Sequence, residues 1–182
     1  MTVDSAESPR KILMIVPYKA RDLEGHALVA HHLQRRHGVE TVPTNGYGIE
    51  RKLLLHRPDA LVMDHLCWNF KAEQARLARS LGMKVVVLPT EGLVQDYEGA
   101  RVVVGSKHHA ADTVDLFLSW GAYQRQAVLH EGLMDETRAD VVGCSRFDFY
   151  REPYIRLIPS RGEFLGKLGL KNPDAPMILW CT

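Results

Sequence analysis

The sequence predicts an α/β fold, a Rossmann-like parallel sheet flanked by helices. Three observations carry that prediction. Apolar segments of strand length recur along the 182 residues. Helix-length amphipathic segments separate them, and the connections between the two kinds are short. The apolar segments are also near-continuous rather than alternating, as strands covered on both faces must be.

KILMIVP (11–17) reads as the first buried strand. Asp22 is placed to cap a following helix that runs to about His37, with Leu23, Ala27, Ala30 and Leu33 as its inward stripe. Gly38 closes that helix, and VETVP (39–43) is the second strand. A short helix over 48–56 leads into ALVMDH (60–65), the third strand. Phe70, Leu77, Ala78 and Leu81 mark the face of the next helix, which Gly82 ends. KVVVLP (84–89) is the clearest strand; RVVVG (101–105) and DLFLSW (115–120) are shorter candidates. A helix over 122–129 and a strand at DVVG (140–143) complete the set. Beyond it, 161–168 has a helical look, and MILWCT (177–182) reads as a new buried strand. The expected organisation is a polar tail (1–10), one Rossmann-like domain (11–175) and the start of a second domain (176–182). A small domain whose last strand is terminal is the competing organisation.

Composition narrows the function classes. With 46% hydrophobic and 25% charged residues and a net charge of +1, the chain has no strong field for holding nucleic acid or an anionic membrane. Three cysteines, Cys67, Cys144 and Cys181, are too few and too dispersed for a disulfide framework, which suggests a cytoplasmic setting. The N-terminal segment lacks the apolar stretch of a secretory signal, and no run reaches membrane-spanning length, so any membrane association is expected to be peripheral. Nine histidines include the adjacent pairs His31-His32 and His108-His109, which are poor joint ligands; with no H-E-x-x-H or paired C-x-x-C, neither a metal nor another cofactor is expected. The G-x-G-x-x-G, Walker-type and G-x-S-x-G signatures are missing too, which counts against dinucleotide oxidoreductases and α/β-hydrolases.

Ligands of open parallel sheets bind beyond the carboxyl ends of the strands, so the residues there are the ones to read. Five strand ends carry polar, charged or glycine residues: 17–22, Asp64-His65, Thr90-Glu91-Gly92, Trp120-Gly121 and 143–148. Glu91, in the turn PTEG, is the candidate base, because a carboxylate at a sheet rim can take a proton from an attacking hydroxyl. Capping of a following helix by Thr90 or Glu91 is the plainer reading. Arg146, after the Gly143 turn, suits a phosphate or carboxylate through its planar fork, or equally a bridge to Asp148. Asp148 reads first as an N-cap. Arg21 and Asp22, at the head of the first helix, suit an anionic group or a simple cap. His65 follows Asp64, but adjacent residues seldom fix one another, and a structural role is expected.

The order of these motifs resembles a known family. KILMIVPYKARDLEGHALVAHHLQRRHGVETV, RPDALVMDH, KVVVLPTEG, LFLSWGAYQRQAV and VVGCSRFDFY follow the pattern of bacterial surface carbohydrate biosynthesis proteins. These are glycosyltransferases of the two-domain GT-B type, similar to enzymes that transfer glycerol phosphate from CDP-glycerol. The resemblance spans about residues 11–150, with Cys144-Ser145 where the family turn has Asn-Pro. It implies two facing Rossmann-like domains, the N-terminal one holding a glycan or lipid-linked acceptor and the other a nucleotide-sugar donor. It also implies that Glu91 is the base, with Thr90 and Gly92 beside it and Gly143, Arg146 and Asp148 at the cleft. On that reading this chain lacks the donor half and does not turn over alone. A flavodoxin-like binding module and a nucleotide-sugar epimerase of the same architecture are the alternatives.

Overall fold

The computed structural model describes residues 11–91, 110–170, 172, 174 and 176–178. Six strands, β1 (Lys11–Ile15), β2 (Glu40–Thr44), β3 (Ala60–Met63), β4 (Lys84–Val87), β5 (Leu116–Ser119) and β6 (Ala139–Val141), form one parallel sheet. Their order is β2-β1-β3-β4-β5-β6. The expected strand at 101–105 lies outside the described residues, as does Gly92. Of 177–182, Met177 and Ile178 are described; neither is in a strand and Ile178 is 92% exposed, so these two residues do not form the buried strand expected there.

The helices are α1 (Lys19–His37), α2 (Ile49–His56), α3 (Asn69–Ser80), α4 (Ala122–His130) and α5 (Arg161–Lys167). Side chains alternate across a strand, and β1 displays the consequence. Leu13 and Ile15 join a cluster with Ile49 and Leu53 of α2, the alanines of α3 and Ala127 and Val128 of α4. Ile12 and Met14 join a second cluster with Val29 and Leu33 of α1. Both faces of the middle of the sheet are therefore covered, which is why β1, β3 and β4 read as unbroken apolar runs.

Two helical faces differ from the sequence expectation. In α1, Asp22, Gly25 and His26 are buried while Ala27 is exposed, so the inward stripe runs 22, 25/26, 29, 33. A purely apolar criterion misses a stripe whose first two turns are polar. In α3, Ala72, Ala75 and Ala78 pack inward beside buried Lys71 and Gln74, whereas Phe70 and Leu81 are 46% and 41% exposed. Small residues let that helix approach the sheet closely; of the face expected there, Leu77 and Ala78 do pack inward.

The chain divides into two compact units, 1–146 and 147–182. The second contains a 3-10 turn at Tyr154–Leu157 and α5, whose N-terminus is a capping box: Ser160 Oγ accepts the Glu163 amide at 3.3 Å and Glu163 Oε2 accepts the Ser160 amide at 2.7 Å. No helix of the described residues is long and apolar enough to cross a membrane.

Candidate functional site

The strand order reverses direction at β1: the chain goes from β1 to β2 on one side and then to β3 on the other. Such a switch point leaves a crevice beyond the carboxyl ends of β1 and β3. An open cleft lies there, lined by Tyr18, Arg21, Asp64, His65, Cys67, Trp68, Thr90 and Glu91. A second, small hollow lies beyond β4–β6, lined in part by Asp22, His26, Thr90, Trp120, Gly143 and Arg146. All five strand ends singled out in the sequence thus contribute to two adjoining hollows, with Thr90 in both walls.

Ion pairs tie these residues together. Arg21 Nη1 donates to Glu91 Oε1 at 2.8 Å, Nε to Asp22 Oδ1 at 2.8 Å, and Nη2 to Thr90 Oγ1 at 3.1 Å. Arg146 Nη1 lies 3.5 Å from Asp22 Oδ1, so one chain of charges runs Glu91–Arg21–Asp22–Arg146. The hydrogen bond it donates to Asp22 raises the Arg21 guanidinium above its already high ordinary value, and Glu91 adds to this. Arg146 also lies over the Trp120 ring, 5.0 Å from its centre, and Arg21 over Tyr18 at 4.8 Å. Trp120 Nε1 in turn donates to the Pro89 carbonyl at 2.7 Å, which fastens the end of β5 to that of β4.

The predicted site residues thus find different fates. Glu91 and Arg146 face the same rim. The Glu91 side chain is 76% exposed, while that of Asp22 is 1% exposed. Asp22 is not the N-cap of α1: the helix begins at Lys19, and Asp22 accepts the Tyr18 amide from within the first turn at 3.2 Å. Gly143 adopts φ +82°, a left-handed turn that lets 144–146 double back toward α1. Asp148 is not an N-cap: it sits inside the 3-10 helix Ser145–Tyr150 and is exposed. Arg146 pairs with Asp22 in the rim.

Sequence reading missed a second cluster, on the loop after β3. Buried Leu66 pins this loop, and Asp64 and Lys71 form a buried ion pair below it. His65 Nε2 lies 3.3 Å from Asp64 Oδ2 and 3.1 Å from Lys71 Nζ, while its Nδ1 lies 2.8 Å from Cys67 Sγ and accepts the Cys67 amide at 3.3 Å. The amide bond draws on a lone pair of Nδ1, while Nε2 stands between the Asp64 carboxylate and the Lys71 ammonium. The turn after β3 folds the His65 ring back to within 3.3 Å of Asp64, an approach that adjacency in sequence does not ensure. Burial pushes His65 below its ordinary 6.5, with Asp64 opposing and Lys71 adding to the shift. Burial also pushes the Cys67 thiol up. The His-x-Cys spacing at a strand end was the available signal. Among the described residues no group of three His, Cys, Asp or Glu is arranged to hold a metal ion.

Neither a protein-family model nor a curated protein matches the sequence. Solved structures do. UDP-N-acetylglucosamine 2-epimerase from Rickettsia bellii is similar at TM-score 0.62 and 12% identity, over 90% of this chain and 52% of that one. The S. aureus MnaA–UDP co-structure is similar at 0.61 and 15%, over 88% and 50%. The apo form of the lipopolysaccharide outer core galactosyltransferase WaaB matches at 0.51 and 11%, over 73% and 45%. The fold is that of the Rossmann-like halves of GT-B proteins. The chain spans about half the length of each of these structures.

Proposed function

We propose that this chain is the acceptor-side half of a GT-B glycosyltransferase that moves a sugar from a nucleotide-sugar donor to a cell-surface glycan or lipid-linked acceptor at the cytoplasmic face of the membrane. The observation that carries this reading is the chain of charges Glu91–Arg21–Asp22–Arg146 along the carboxyl rim, beside the cleft at the switch point. Arg21 holds one oxygen of Glu91, so the carboxylate presents the other in a fixed direction. There it accepts the proton of the acceptor hydroxyl as that oxygen attacks the sugar. Buried Asp22 keeps Arg21 in place, and Thr90 supports it from the other side.

The half-length match to two-domain structures supports assigning the donor site to a partner domain. Similarity to an epimerase favours a second reading, a nucleotide-sugar epimerase, in which Glu91 would exchange a proton at the sugar ring instead. Product analysis with UDP-sugars, on the longest natural protein that carries this chain, separates the two: transfer needs an acceptor, whereas epimerisation does not. Glu91→Gln is expected to lower kcat about 10²–10⁴-fold in either case, the usual worth of a general base. Unchanged turnover removes Glu91 from the mechanism.

A further inference from the structure

The cluster after β3 has an arrangement that sugar transfer does not use. His65 Nε2 lies 3.3 Å from Asp64 Oδ2 and 3.1 Å from Lys71 Nζ, and Nδ1 of the same ring faces the Cys67 sulfur at 2.8 Å. Imidazole and thiol thus stand in contact, the relation by which a base activates a sulfur nucleophile. Cys67 is half-buried and lines the open cleft, so a small reagent reaches its sulfur. Lys71 lies against the other side of the ring, a fixed cation that favours a nearby thiolate.

We propose that Cys67 is a modification site, a thiol that exchanges with low-molecular-weight disulfides under base catalysis by His65. The Cys67 proton passes to Nδ1 of His65 as the sulfur attacks one sulfur of the disulfide. A new bond to Cys67 forms, the reagent's own S–S bond breaks, and the departing thiolate takes the proton from His65 and leaves as a thiol. The reagent is the oxidant: the Cys67 sulfur passes from thiol to disulfide level, and the departing sulfur passes from disulfide to thiol level. Burial keeps both partners neutral at rest, so reaction depends on this proton transfer rather than on a standing thiolate. The adduct projects into the cleft beside Tyr18, Arg21 and Glu91 and closes it to other ligands.

The test treats the whole chain with 2-hydroxyethyl disulfide at neutral pH, quenches with acid at intervals, and follows the Cys67 and Cys144 peptides by mass spectrometry. Cys144 is an internal control: it is an equally half-buried free thiol that lines the other hollow. Cys67 is expected to react at least about tenfold faster than Cys144, as base-assisted thiols do. His65→Gln is expected to remove that advantage while leaving the Cys144 rate unchanged, and imidazole added to a His65→Gly variant to restore part of it. Equal or slower reaction of Cys67 in the unaltered chain overturns the proposal, whether or not the variants fold. So does a Cys67 rate that His65→Gln leaves unchanged. Neither outcome bears on sugar transfer, which is measured separately.

Discussion

Two carboxylates that look alike in the sequence play opposite physical roles at the rim. Asp22 is buried and accepts the Tyr18 amide while meeting two guanidiniums, so its removal strands a backbone donor and two cations. Both arginine side chains are about a third exposed and regain some water, so Asp22→Ala is expected to cost about 1–3 kcal/mol in urea denaturation. Glu91 is mostly exposed, and Glu91→Gln should change stability by no more than about 0.5 kcal/mol. That contrast makes Glu91 a clean probe of chemistry and Asp22 a poor one. His65 adds a pH dependence. Its folded value lies below 6.5, so above that pH both states are neutral and nothing is lost. As pH falls from 6.5 toward 5 the unfolded chain takes up the proton first, and stability drops. Urea midpoints across this window should fall in the unaltered chain and fall less in His65→Gln. Glu91 and Arg146 were legible because they follow strands directly. Cys67 and Lys71 were not, since their meeting with His65 depends on how the loop turns.

The elements were legible where periodicity reports burial and illegible where it does not. Strands β1, β3 and β4 announce themselves because both faces are covered. The rotation of α1 could not be read, because its inward face begins with Asp22, Gly25 and His26, polar or small residues that serve the rim rather than the core. Gly25 explains how the last strand's loop reaches the site. A methyl group there would stand 2.9 Å from Ser145 Oγ and 3.0 Å from the Arg146 amide nitrogen. Backbone cannot yield as a flexible side chain can, so Gly25→Ala should push 144–146 away and loosen the Arg146–Asp22 pair. Alanine favours helix over glycine by about 1 kcal/mol, and a net loss of stability would mean that the clash outweighs it. Gly166 in α5 is the control, since nothing lies within 4 Å of a Cβ there. Gly166→Ala should be neutral or raise stability by up to about 1 kcal/mol. Thermal melts of the two variants, one lowered and one level or raised, check the argument; a Gly25→Ala chain as stable as the parent would sink it.

At the scale of the molecule the decisive quantity is the balance of charge around the cleft. Arg21, Arg146 and Lys71 are matched by Asp22, Glu91 and Asp64, each cation lying against a carboxylate. The chain as a whole carries +1. A diphosphate approaching this rim meets no net positive potential, and to engage either guanidinium it must displace a carboxylate already in place. A neutral polyol has no such obstacle, since hydroxyls can bridge the existing charges. The 182-residue chain should therefore bind UDP only weakly, with Kd above about 1 mM, equivalent to less than about 4 kcal/mol of binding free energy. Isothermal titration or NMR shift mapping on the isolated chain measures this directly. The same reasoning makes Glu91→Gln instructive, because it leaves Arg21 with a surplus of positive charge; UDP affinity should rise in that variant, and more at low salt than at high. Micromolar binding to the unaltered chain would mean that this half holds the nucleotide itself, and the division of labour proposed for the two halves would have to be reversed.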